Sequence, residues 1–144
     1  MAKITTKIIL CTSLLVFTFC AHAAVMPPKQ VPEYVTQGFT AYKQNGYRAG
    51  VEQWLHGSPY HNAAQLLANC QYLKNIEMLY GHYIGYRILM VKQTISSNFV
   101  YAEMKYKRQI IFVGFTSQRR GQKWVLSNVR FDRQQRLGTA PAPQ

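Results

Sequence analysis

Carboxylates are the scarcest chemically useful side chains in this chain, so its candidates for acid–base chemistry are few. The five acidic residues among 144 are Glu33, Glu52, Glu77, Glu103 and Asp132. Glu77 is distinctive because Leu73 and Cys70 lie four and seven positions before it, which places a carboxylate on an otherwise apolar helical stripe. Such a carboxylate acts as a general base or joins an internal ion pair. Glu77 is therefore the one weak catalytic candidate, and we favour an ion pair with Arg87 or Arg130.

Histidines, serines and glycines show no pattern typical of a metal site or a nucleophile. His56 and His61 are five residues apart across a turn that contains Pro59, whereas helical metal ligands are four apart. The sequence contains no Gly-x-Ser-x-Gly motif, no Ser-x-x-Lys motif and no glycine-rich loop that leads into a helix. We therefore expect no metal and no cofactor.

The first 23 residues have the three parts of an export signal. Lys3 and Lys7 precede an apolar run over residues 8–19, and a small-x-small motif ends at Ala23. The apolar run is shorter than the roughly 20 residues that span a bilayer. The sequence thus predicts cleavage near Ala23/Ala24 and a periplasmic or secreted protein without a transmembrane anchor.

Positive charge dominates what remains after cleavage. The whole chain has 17 basic and five acidic residues, and removal of Lys3 and Lys7 leaves a net charge of about +10. Six cations in the second half are predicted to form one surface for anions: Lys105, Lys107, Arg108, Arg119, Arg120 and Lys123. Outside the cytoplasm the expected partners are anionic envelope lipids or an acidic protein, and nucleic acid is not expected. The alternative is a solvated basic face that aids solubility.

The spacing of apolar residues predicts one α+β domain over residues 33–137. An extended, proline-containing linker is expected at 24–32 and a disordered tail at 138–144. The predicted helices are 33–44, 47–56 and about 62–80, with Asn62 or Ser58 as the cap of the third. The predicted strands are 83–94, 99–107, 109–117 and 123–133, and their short connections imply antiparallel neighbours. We expect three N-terminal helices packed on a curved four-stranded antiparallel sheet.

Two of the predicted strands differ in how clearly their faces separate. In the second, Val100, Ala102, Met104 and Tyr106 alternate with more polar positions and form a core face. In the fourth, both faces are partly apolar, with Trp124 and Leu126 on one and Val129 and Phe131 on the other.

Several short segments carry a resemblance to a known superfamily. They are residues 41–46 (AYKQNG), 54–59 (WLHGSP), 76–77 (IE), 80–81 (YG) and 121–126 (GQKWVL). With the order and length of the elements, they resemble small exported domains of the nuclear transport factor 2-like, or cystatin-like, superfamily. The resemblance implies a cone-shaped pocket between a curved sheet and the helices, which relatives use for catalysis, ligands or subunit contacts. The candidate ligand-binding residues of that aromatic cavity are Tyr80, Trp54, Tyr106 and Trp124.

Three functions are compatible with these features. The first is a non-enzymatic, exported binding or interaction module that uses the aromatic cavity or the basic sheet surface. The second is a small-molecule enzyme, lyase- or isomerase-like, with Glu77 as its base. The third is a homodimer that packs sheet to sheet through Phe99, Tyr101, Trp124 and Leu126. We favour the first.

Overall fold

A computed structural model describes residues 30–134, which contain three helices and four strands. The helices are α1 (Glu33–Asn45), α2 (Tyr47–Leu55) and α3 (Ala63–Tyr80). The strands are β1 (Tyr83–Gln93), β2 (Ser97–Tyr106), β3 (Ile110–Arg120) and β4 (Lys123–Asp132). The α+β class with an antiparallel sheet is confirmed, and β3 runs three residues further than predicted. The predicted export signal at 1–23, residues 24–29 of the predicted linker, residues 135–137 of the predicted domain and the predicted tail at 138–144 lie outside the described residues.

Polar and glycine caps set the ends of the long helix α3. The Asn62 side chain accepts a hydrogen bond from the Gln65 backbone N–H at 2.8 Å, so Asn62 is the cap rather than Ser58. Gly81 ends the helix at φ 85°, a conformation that favours glycine, and its N–H donates to the Glu77 carbonyl. No helix among residues 30–134 is long and apolar enough to cross a membrane.

The sheet is a meander in the order β1-β2-β3-β4, with every neighbouring pair antiparallel. A register shift in β4 puts Leu126 opposite Ser117 and Asn128 opposite Thr116, which leaves Ser127 as a bulge residue. The bulge brings Leu126 and Val129 to the same face of the sheet. The bulge therefore explains why apolar residues occur on both predicted faces of β4.

The core lies between the three helices and one face of the sheet. The predicted core face of β2 is confirmed, since all four of its residues are at most 4% exposed. Phe39 of α1 makes edge-on ring contacts with Trp54 of α2 at 5.2 Å and Phe115 of β3 at 5.6 Å. A Cβ at Gly38 would lie 2.0 Å from the Trp54 ring, so only glycine lets α1 and α2 approach this closely.

The end of the predicted linker belongs to the folded part of the chain. Val31 packs against the core, Pro32 is buried, and the Asn98 side-chain amide donates to the Gln30 carbonyl at 2.9 Å. Proline is compatible with this packing because its fixed φ suits an extended lead into a helix. Residues 30–32, at the end of the predicted linker, therefore contact the helices and the sheet.

Candidate functional site

The four aromatic residues predicted to bind a ligand do not line a common cavity. Trp54 and Tyr106 are 1% and 4% exposed, and the Trp54 Nε1–H donates to the Val35 carbonyl at 3.2 Å. Tyr80 and Trp124 are half-buried. Tyr106 and Trp124 lie near opposite ends of the sheet, because Trp124 pairs with Arg119 at the far end of β3. Trp54 and Tyr106 are therefore core residues, and Tyr80 packs against that core.

Four surface pockets lie between described residues, and none is lined by Tyr80, Trp54, Tyr106 or Trp124. Their volumes are about 580, 500, 330 and 250 Å³. The pocket of about 330 Å³ lies between α1 and β1 and has the aromatic wall, formed by Phe39, Tyr83 and Tyr86. Within residues 30–134, no three His, Cys, Asp or Glu side chains are placed to hold a metal ion.

Glu77 interacts with a tyrosine hydroxyl rather than with Arg87 or Arg130. Its carboxylate interacts with the Tyr42 hydroxyl, which is 3.1 Å from the Tyr106 hydroxyl. The predicted ion pairs of Glu77 are wrong, because Arg87 pairs with Glu103 and Arg130 pairs with Asp132. Glu77 also lines none of the four pockets. Its place in the fold is therefore that of an acceptor linking α3 to α1 and β2.

The tyrosines beside Glu77 are neutral hydrogen-bond donors. Burial, then Tyr106 and then Glu77 raise the pKa of Tyr42 far above its usual 10.0. Burial likewise raises the pKa of Tyr83 and of Tyr106. Tyr83 stacks on Tyr42 with ring centroids 4.2 Å apart. Hydroxyls with raised pKa values keep their protons at neutral pH, so this cluster supplies donors and no tyrosinate base.

The six cations predicted to form one surface lie at opposite ends of β3. Lys105, Lys107 and Arg108 surround the β2–β3 connection and are named here the turn cluster. Arg119, Arg120 and Lys123 surround the β3–β4 connection and are named the hairpin cluster. The 11 residues of β3 separate them by about 33 Å at the usual rise per residue. The prediction of one cationic surface is wrong, because successive turns of a meander lie at opposite ends of the sheet.

The turn cluster is partly balanced by the protein itself. Lys105 Nζ lies 3.6 Å from Oε1 of Glu103, which is 4% exposed and also receives Arg87 at 3.0 Å. The backbone N–H of Arg108 donates to the Tyr80 carbonyl at 2.9 Å, so this connection lies against the C-terminus of α3. Helix C-termini carry partial negative charge that favours cations. A carboxylate and the partial negative charge of a helix end therefore lie beside Lys105 and Arg108, and they offset part of the positive charge at this end.

The cations of the hairpin cluster have no neighbouring carboxylate. All three of its cations are exposed, and no carboxylate in the described part of the chain lies within salt-bridge distance of them. The Arg119 side chain donates to the Gly121 carbonyl at 3.2 Å and to Gln122 Oε1 at 3.1 Å. These bonds hold one guanidinium over the hairpin while the other cations point to solvent. The hairpin cluster is the more suitable anion site.

The sequence analysis did not place the β1–β2 turn, residues 94–96, beside the hairpin cluster. The Arg119 backbone N–H donates to the Ser96 carbonyl at 3.0 Å, which fastens the β1–β2 turn to the start of the hairpin. That turn carries Ile95, whose side chain is 79% exposed. The predicted topology could have indicated this neighbour, because alternate turns of a meander lie at the same end of the sheet.

The predicted sheet-to-sheet dimer surface is not a single face. Phe99 and Tyr101 alternate with buried core residues of β2 and so lie on the face opposite the helices. Leu126 and Trp124 lie on the helix side, because the bulge at Ser127 reverses the earlier alternation of β4. The four-residue surface is therefore wrong, whereas dimer formation itself stays a prediction.

Comparisons with known proteins were made for the whole chain. No protein-family model, no curated protein and no solved structure matches it. The resemblance to the nuclear transport factor 2-like superfamily therefore stays a prediction.

Proposed function

We propose that this protein is an exported, non-enzymatic binding module that attaches to anionic lipid headgroups of the cell envelope through the hairpin cluster. The observation that carries the proposal is the exposure of Arg119, Arg120 and Lys123 without a carboxylate of the described chain nearby. Guanidinium groups bind phosphate oxygens in a bidentate manner, and lysine adds a compact charge. Each cation near an anionic bilayer contributes about 1 kcal/mol, so three contribute about 3 kcal/mol.

The curved sheet of the superfamily resemblance is part of the same proposal. Register shifts in β1 near Ile84 and Leu89, and in β4 at Ser127, support it because bulges bend and twist strands. Helices on the inner face then leave the turns at the sheet ends open to a surface.

The enzyme alternative has less support. Its proposed base Glu77 interacts with Tyr42, and it lines none of the four pockets. The aromatic-cavity alternative is weakened by the burial of Trp54 and Tyr106 in the core. We therefore place binding at the sheet end and not between sheet and helices.

Cosedimentation with phosphatidylglycerol vesicles tests the proposal, with phosphatidylcholine vesicles as the neutral reference. The triple variant Arg119→Glu, Arg120→Glu and Lys123→Glu should lose binding. The matched control is Lys105→Glu, Lys107→Glu and Arg108→Glu, which makes the same change of charge in the turn cluster and should retain most of it. Equal losses in both variants would show that net charge alone acts, and an unchanged hairpin variant would overturn the proposal.

Export is tested separately. Protein recovered outside the cytoplasm should begin at Ala24 by N-terminal sequencing. Recovery of a chain that still begins at Met1 would contradict it.

A further inference from the structure

The β1–β2 turn presents an aliphatic side chain beside the hairpin cluster. Ile95 is 79% exposed, the most of any large hydrophobic residue within the described range. It lies one position before Ser96, whose carbonyl accepts the Arg119 backbone N–H. The protein core does not bury this apolar side chain. Only a binding partner could remove it from water.

The turn holds Ile95 in a fixed position. The Thr94 backbone N–H donates to the Ser97 carbonyl at 2.8 Å, and the Ser97 N–H donates back to Thr94 Oγ1 at 3.0 Å. The Thr94 hydroxyl also donates to the Ser97 carbonyl at 3.2 Å. With the bond between Arg119 and Ser96, these contacts connect the turn to β3. Little conformational entropy is therefore lost when this tip meets a partner.

The two chain segments that form this end of the sheet contain cations and no acidic residue. Residues 89–98 and 117–123 contain no Asp or Glu, while Lys92, Arg119, Arg120 and Lys123 supply positive charge. Three polar turn residues without charge, Thr94, Ser96 and Ser97, surround the isoleucine. An aliphatic tip with a ring of small polar groups and nearby cations is complementary to an anionic bilayer, whose headgroups overlie an apolar phase.

We propose that this end of the sheet is a membrane-interface contact, in which Ile95 enters the boundary between headgroups and acyl chains of an anionic phospholipid bilayer. The inference rests on the proposed function and deepens it. Arg119, Arg120 and Lys123 bind the headgroup phosphates and orient the tip, and Ile95 adds an apolar interaction that salt does not screen. A rigid turn with one protruding aliphatic side chain suits a fluid surface that can deform around it.

Vesicle partitioning of the purified protein lacking the export signal tests this inference. The probe is vesicles of phosphatidylglycerol and phosphatidylcholine, compared at about 0.1 M and about 0.5 M NaCl. We expect Ile95→Ser to lower partitioning about tenfold, from the apolar area of one isoleucine, and Ile95→Leu to retain it. The matched control is Leu67→Ser on α3, which removes a side chain that is 68% exposed elsewhere and should change partitioning less than about twofold.

Failure of the inference and failure of the proposed function give different results. If the wild-type protein binds and the hairpin charge variant does not, but Ile95→Ser binds like wild type at both salt concentrations, adsorption is purely electrostatic and the insertion is wrong. If the wild-type protein does not partition onto these vesicles, the proposed function fails as well. Thermal unfolding of Ile95→Ser should match wild type because the side chain is exposed, and this excludes misfolding as the cause of lost binding.

Discussion

The two ends of the sheet carry the same number of predicted cations but differ in how those cations are balanced. At the turn cluster, Glu103 and the C-terminus of α3 supply negative charge next to the lysines and arginine. At the hairpin cluster, the described residues supply none within salt-bridge distance. The difference teaches that a formal net charge of +12 locates no binding site by itself. A binding partner interacts with those cations that have no carboxylate of the protein beside them.

Alkaline pH should have the largest effect, because it acts on three buried tyrosines near the turn cluster and on only one, Tyr34, toward the hairpin cluster. Burial raises the pKa of Tyr42, Tyr83 and Tyr106, and it raises the pKa of Tyr34, which bonds Ser117, to about 12. Each folded-state pKa exceeds its unfolded value, so this stability is complete below about pH 10 and is lost as the pH rises further. As the unfolded tyrosines lose their protons, the four should together remove about 3 kcal/mol of unfolding free energy per pH unit at pH 10 and about 5 kcal/mol per pH unit at pH 11.

Denaturant unfolding at a series of alkaline pH values measures this slope. Tyr42→Phe should reduce the slope by about one proton's share, about 1.4 kcal/mol per pH unit. Tyr60→Phe, which changes a ring that is 48% exposed, is the comparison variant. Equal slopes in wild type and the Tyr42 variant would contradict the assignment.

Removal of the buried carboxylate should have the next largest effect. Glu103→Ala breaks the contacts with Arg87 and Lys105 and should lower the unfolding free energy by about 2 kcal/mol. The comparison variant is Glu52→Ala, which removes the exposed pair with Arg48 and should cost less than about 0.5 kcal/mol. Chemical denaturation measures both.

The same Glu103 variant sharpens the comparison of the two ends. It leaves the turn cluster without its main balancing charge, so vesicle binding through that end should increase. A hairpin triple variant that also carries Glu103→Ala should regain part of the binding. If vesicle binding does not increase in this variant, the negative charge of Glu103 is not the reason why the turn cluster binds weakly.

Single cations should show the smallest difference. Arg120→Ala should weaken binding to phosphatidylglycerol vesicles about fivefold, the contribution of one cation near the bilayer. Lys105→Ala at the other end, where Glu103 lies 3.6 Å from the ammonium group, should change binding less than about twofold. Titration of protein with vesicles measures both, and equal effects would show that the ends are equivalent.

Local patterns predicted most of the secondary structure. The cap at Asn62, the stop at Gly81 and the alternation from Val100 to Tyr106 depend on neighbours in sequence, and all three are found in the structure. The bulge at Ser127 was not predicted, because a single extra residue leaves composition unchanged while reversing the faces of β4 before it. That reversal is why Trp124 and Leu126 were assigned to the wrong face.

Contacts between residues that are distant in sequence could not be predicted, and the candidate site depends on such contacts. Glu77 was expected to meet an arginine, but its partner is a tyrosine from α1 that lies 35 positions earlier in the sequence. The basic residues were grouped because they are near one another in sequence, whereas a meander separates adjacent turns and joins alternate ones. The contact of Arg119 with Ser96 follows from that topology and from no local pattern.

The register shifts in β1 and β4 have a consequence for copies that gather on a surface. These two strands are the edges of the sheet, and both are irregular, while Lys43 of α1 also donates to the Ile84 carbonyl of β1. Flat edges invite strand addition between neighbouring molecules, and bulges and lysines discourage it. Crowding at an interface should therefore leave the protein as separate units rather than drive it into fibres.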